Sequence, residues 1–199
     1  MDKRGFFDSM APDWDSFPQP EDAAAKRARY VALATEGHPS QILDVGCGTG
    51  ILVPEILTQC PSSTIVELDF SVEMIARNQA KNSRPNIQFL CSSIAEAPLN
   101  PESFDAILCF GIIPHLDSRD SDLRKLACAL IPGGRLSVGH LMGSAELNAF
   151  HAGVEGPVKT DRLPPAARLA DLLRTLGLNV QIADERPDWY FLRAGKPAR

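Results

Sequence analysis

Histidine is scarce in this chain, four in 199 residues, yet three of them stand near the ends of apolar runs: His115 in "CFGIIPHLD", His140 in "SVGHLMG" and His151 closing "SAELNAFH". Imidazole takes and returns a proton near neutral pH, so histidines where strands hand over to loops are candidate general bases or substrate anchors. Each also has a plainer explanation, as a packing or hydrogen-bonding residue at the rim of a sheet. All three could in principle share a transition metal, but their spacing matches no familiar ligand motif and no metal is expected. His140 is the stronger candidate for base or anchor, with His115 and His151 beside it and Asn148 either adding a polar contact or facing solvent.

A second pattern is backbone chemistry. In "LDVGCGTGILV", Gly46, Gly48 and Gly50 alternate between an apolar run and an apolar helix start. Glycines there let the chain turn tightly and bring its N–H groups against a ligand. A dinucleotide fingerprint would put its third glycine at position 51, which is Ile51. In "TIVELDFSVEMI", Asp69 follows Gly50 by 19 residues, where a carboxylate can accept hydrogen bonds from two ribose hydroxyls. Its alternative use as a helix cap is already served by Ser71.

These residues need a scaffold. Apolar runs at "QILDVG", "TIVELD", "IQFLC", "FDAILCF" and "GRLSVGH" read as strands buried on both faces, with helices between them. "SDLRKLACALIPGG" shows Leu123, Leu126, Ala127 and Leu130 on one face and stops at its double glycine. "LPPAARLADLLRTLG" does the same with Leu169, Leu172, Leu173 and Leu176. "LNVQIA" and "WYFLRAG" form two final strands joined by "DERPD" as a hairpin. The expectation is an α/β fold, a seven-stranded mostly parallel sheet with an antiparallel C-terminal hairpin and helices on both faces. Ligands of such sheets bind beyond the carboxyl ends of the strands. Residues 1–38 form an N-terminal helical segment, with "EDAAAKRARYVALATEG" ending at a capping glycine and a shorter aromatic piece before it. Residues 39–199 form one domain.

The G-x-G-x-G loop followed by an acidic strand end resembles the class I S-adenosylmethionine-dependent methyltransferase family, in its small-molecule branch. The resemblance implies a Rossmann-like sheet, S-adenosylmethionine as cofactor, and transfer of its methyl group by in-line displacement. It implies cofactor contacts from Asp44, Gly46, Cys47, Gly48, Gly50, Asp69, Phe70, Ser93, Ile94 and Phe110. In the family an aspartate meets the adenine amino group at the third strand exit; this chain departs from that with Ser93, whose oxygen can still accept, beside the Ile94 amide. In the resembled fold the fourth and fifth strand exits, with His115 and His140, face the methyl end of the cofactor. "SAELNAFH" is expected to be a short helix capped by Ser144 with Leu147 and Phe150 inward.

The acceptor is narrowed by what is missing. Enzymes of this family that methylate exocyclic amines of bases carry Asn or Asp before Pro-Pro-aromatic after the fourth strand; here the stretch is "FGIIPH". A small-molecule acceptor follows, with residues 141–163 as a substrate-side insertion. "FFDSMAPDWD" resembles segments that fold over the active site as a lid, and its Phe6, Phe7 and Trp14 could equally pack on outer helices. The formal net charge of −5, without a basic stripe, argues against nucleic acid as partner. The longest apolar run, Ala106 to Ile113, falls short of the roughly 20 residues that span a bilayer, and a cytoplasmic location is expected. Five cysteines without a C-x-x-C pair read as reduced, mostly buried thiols. From another class, a non-catalytic S-adenosylmethionine-binding sensor or partner subunit is the alternative, favoured by Ser93 and opposed by the intact loop, Asp69 and the histidines.

Overall fold

The computed structural model describes residues 1–199. Strands β1 (Gln41–Val45), β2 (Thr64–Asp69), β3 (Ile87–Cys91), β4 (Phe104–Phe110), β5 (Leu130–His140), β6 (Asn179–Arg186) and β7 (Trp189–Gly195) form one sheet. Its order is β3-β2-β1-β4-β5-β7-β6. The first five strands run parallel and β7 pairs antiparallel with both β5 and β6. The helices are α1 (Lys3–Met10), α2 (Ala23–Ala34), α3 (Val53–Gln59), α4 (Val72–Asn82), α5 (Arg119–Ala129), α6 (Ser144–Gly153) and α7 (Ala166–Thr175). No helix is long and apolar enough to cross a membrane.

Alternation along the central strands builds two cores. Ile42, Ala106 and Leu108 point to one face, with Tyr30 and Val31 of α2 and Val53 and Ile56 of α3. Leu43, Val45, Ile107 and Cys109 point to the other, with Leu123 and Leu126 of α5 and Leu169 and Leu173 of α7. Strand order reverses between β1 and β4, which opens a crevice at their carboxyl ends.

Several local expectations are corrected. Helix α5 ends at Ala129, not at the double glycine: Leu130 is already extended and pairs with Phe104. Gly133 and Gly134 lie inside β5, where a Cβ on Gly134 would stand 2.9 Å from the Ile131 carbonyl oxygen. "DERPD" is mostly strand, because β6 runs to Arg186 opposite Trp189 and leaves only Pro187 and Asp188 as the turn. Gly143, not Ser144, caps α6; Ser144 instead gives its amide and hydroxyl to Glu185 at 2.9 and 2.5 Å. Phe150 is 58% exposed, so only Leu147 of that pair turns inward. Strand β3 is an edge and only half covered. Cys91 and Cys128 are exposed, while Cys47, Cys60 and Cys109 are buried.

Candidate active site

The glycine loop follows β1 and is tied to the end of β2. Amides of Gly46 and Cys47 both donate to the Leu68 carbonyl, at 2.7 and 3.1 Å. Asp69 accepts from the Gly48 amide and, with its other oxygen, from the Ser71 amide, each at 2.9 Å. Ser71 caps α4 through its own hydroxyl, as expected. Burial raises the Asp69 carboxyl, opposed by these backbone donors. Gly50 has φ +81°, and a Cβ there would lie 2.1 Å from Oδ1 of Asn78. Asn78 is fully buried and donates to Glu67 at 2.7 Å and to the sulfur of Cys47 at 3.4 Å.

Beneath the loop lies a buried acidic group. Asp44 is 1% exposed and one of its oxygens has no hydrogen-bond partner. Burial, then Glu67 and Asp69, pushes its carboxyl well above the usual range. Glu67 is pushed up to about 7 by burial, against the Asn78 hydrogen bond. Cys47 is likewise raised by burial, so it is a packed thiol and no nucleophile.

A cavity of about 210 Å³ opens at the carboxyl ends of β1, β2 and β4. It brings together Gly46, Asp69, Phe70, Ser93, Ile94 and His115. Asp44, Cys47, Gly48 and Gly50 form the loop and its support behind this space, and none of them is among its lining residues. Phe110 turns away, its ring 4.9 Å from that of Tyr30, and does not line the cavity.

The histidines converge. The rings of His115 and His151 are 5.3 Å apart, and both act on the charge of His140. Nδ1 of His115 is 2.7 Å from a carboxylate oxygen of Asp161, and Nδ1 of His151 is 3.2 Å from the Asp161 carbonyl oxygen. Both acceptors require the proton on Nδ1, which leaves Nε2 of each ring as the basic nitrogen. His140 is the reverse: its Nδ1 accepts from the Met142 amide at 3.3 Å, so Nε2–H is a donor. Burial, then His115 and His151, depress it to about 3. Burial also lowers His151, with His115 adding to that and the Asp161 carbonyl opposing it. The imidazoles form no group fit to hold a metal ion.

Asp161 was not singled out by sequence reasoning. It lies in "KTDRLPP", a loop without periodicity, and its partner His115 is 46 residues away. Burial would raise its carboxyl, but hydrogen bonds from His115 and Lys3 hold it below the ordinary range. Lys3 reaches it at 2.8 Å while also bonding Asp117 at 2.6 Å and the His115 carbonyl at 3.2 Å. The rest of the N-terminal segment lies across the same crevice. Phe7 packs edge-on against Trp14, Phe70 and His115, at 5.8, 5.8 and 5.2 Å. Asp8 accepts from Ser71, and Asp15 accepts from Thr49 of the glycine loop and pairs with Lys81.

Residues 43–138 match the family described as "Methyltransferase domain". The ubiquinone biosynthesis O-methyltransferase of Xanthomonas euvesicatoria pv. vesicatoria is 28% identical over 78% of this chain and 69% of its own length. The chain spans from a quarter to about two thirds of the length of the curated relatives it matches first. Among solved structures, the N-methyltransferase NodS from Bradyrhizobium japonicum, in complex with S-adenosylhomocysteine, superposes with a TM-score of 0.79 at 15% identity, covering 99% of this chain and all of that one. The [4+2]-cyclase SpnF gives the same TM-score at 17% identity, covering 98% of this chain and 95% of that one. The fold is therefore shared by proteins of more than one reaction.

Proposed function

This chain belongs to the class I S-adenosylmethionine-dependent methyltransferase family, and on that premise we propose that it moves the methyl group of that cofactor to a hydroxyl or similar heteroatom of a small molecule. The observation that carries the reading is His115, which lines the same cavity as Gly46 and Asp69 while its far nitrogen is anchored on Asp161.

The residues present fit the cofactor. Asp69 has lone pairs beyond those given to Gly48 and Ser71, suited to ribose hydroxyls. Gly46 sits at φ +66° with Ile112 packed directly against it, where a Cβ would lie 2.7 Å from that side chain, so only a glycine backbone can line the cavity there. When bound, S-adenosylmethionine supplies an electrophilic methyl group displaced in line by a nucleophile.

Asp161 fixes the His115 ring so that Nε2 faces the acceptor and takes its proton. His140, neutral and presenting Nε2–H, serves as an anchor for the acceptor rather than as a base. His151 packs behind His115 and holds the insertion through the Asp161 carbonyl. Phe7 and Trp14 exclude water, which strengthens each polar contact within. The O-methyltransferase relative supports oxygen as the acceptor atom.

The test is a screen of phenolic and hydroxylated small molecules with S-adenosylmethionine, followed by His115→Ala on the best acceptor. Loss of about 10²–10⁴-fold in kcat/KM with S-adenosylhomocysteine affinity retained is expected. An unchanged rate would remove His115 as base.

A further inference from the structure

Ser93 stands where related enzymes present an acidic acceptor, but its hydroxyl is committed elsewhere. It donates to the carboxylate of Glu96 at 2.8 Å and accepts from the Glu96 amide at 3.3 Å. A different carboxylate reaches the same end of the cavity. Helix α5 is held against this loop by Lys125, whose ammonium donates to the Ala95 carbonyl at 2.7 Å. One turn earlier on that helix, Asp122 is 8% exposed and lines the cavity with Ser92, Ser93, Ile94 and Leu116. Its backbone amide bonds Ser118, but its carboxylate takes no hydrogen bond from the protein. Its oxygens face the cavity without a protein donor and are free to accept one from a ligand. The surrounding Leu68, Ile94, Ile112 and Leu116 are apolar, and such walls suit a flat ring whose edge carries an N–H donor.

We propose that Asp122 recognises the 6-amino group of the cofactor's adenine, supplying from α5 the acceptor that Ser93 does not. The inference rests on the cavity being the S-adenosylmethionine site. Burial, then Asp117, raises the Asp122 carboxyl, as expected of a group waiting for a donor. Helix α5 keeps Asp120 in its first turn, so loss of Asp122 leaves the helix end its own acidic residue.

The test is calorimetric titration with S-adenosylhomocysteine and with its deaminated analogue S-inosylhomocysteine, which presents a carbonyl where adenine has its amine. The intact protein should prefer the adenosyl ligand by about 10-fold or more, the scale of a hydrogen bond to a charged group. Asp122→Ala should lose that preference by weakening the adenosyl ligand alone, Asp122→Asn should keep part of it, and Ser93→Ala should leave it whole. The thermal midpoint of apo Asp122→Ala should stay close to that of the intact protein, since the carboxylate makes no hydrogen bond within the protein. A preference undiminished in Asp122→Ala overturns the inference and leaves the cofactor reading standing. Failure of the intact protein to bind S-adenosylhomocysteine overturns both.

Discussion

Asp161 holds two imidazoles by two different atoms, its carboxylate on His115 and its carbonyl on His151. In the proposed reaction this separates positioning, by Asp161, from proton transfer, by His115. Replacing Asp161 by Asn frees the His115 ring to flip and changes its tautomer, so kcat should fall about 10²-fold or more while affinity for S-adenosylhomocysteine is unchanged. Steady-state kinetics beside calorimetry separates the two. His140 makes a pH statement. Its folded value, about 3, lies below its ordinary 6.5, so between these values only the unfolded chain takes up the proton. Its contribution to stability is complete above pH 6.5 and is lost as pH falls towards 3. Glu67 acts in the opposite sense: raised from 4.5 to about 7, it is protonated in the folded state first, so stability declines as pH rises across that interval. Glu67→Gln should flatten that decline in denaturant titrations at pH 5 and about pH 8, and an unaltered slope would contradict the assignment.

At the scale of elements, Tyr30 shows how a helix is fastened to the sheet beneath the site. It is fully buried on α2; its hydroxyl donates to the Ser137 carbonyl on β5 at 3.0 Å and accepts from the Cys109 amide on β4 at 3.1 Å. The ring occupies the space that Gly139 leaves open, since a Cβ there would meet it at 2.3 Å. Tyr30→Phe keeps the packing and strands two buried backbone groups, so unfolding free energy should drop by about 1–3 kcal/mol with the denaturant slope unchanged. The strand-helix alternation was readable because the central strands are short apolar runs and the helices between them carry an apolar face. The α5–β5 boundary was not, because Leu130 satisfies the helical spacing and only its pairing with Phe104 decides that it is strand.

At the scale of the molecule, the sites collect where strand order reverses. Three loops at that edge are bridged by the N-terminal segment, which meets Ser71, Thr49 and Asp161 in turn. The glycine loop and Asp69 were legible because their chemistry lies in a local pattern. Asp161, Lys3 and Asn78 were not, because each acts on a residue whose distance is set by the fold: Lys3 and Asp117 are 114 positions apart. The packing of Phe110 on Tyr30 was hidden for the same reason, since nothing local reveals where its ring lies. We propose that residues 1–17 act as the lid over the crevice. Lys3→Met should then lower kcat/KM by about 10-fold in steady-state kinetics, with the variant's fold checked by its denaturant transition. The central claim is that this crevice takes S-adenosylmethionine on Asp69 and the glycine loop. Calorimetric titration of the intact protein and of Asp69→Asn with S-adenosylmethionine and S-adenosylhomocysteine tests it most directly. The account predicts micromolar binding of both, weakened at least about 10-fold by the substitution; no binding by a folded intact protein would contradict it.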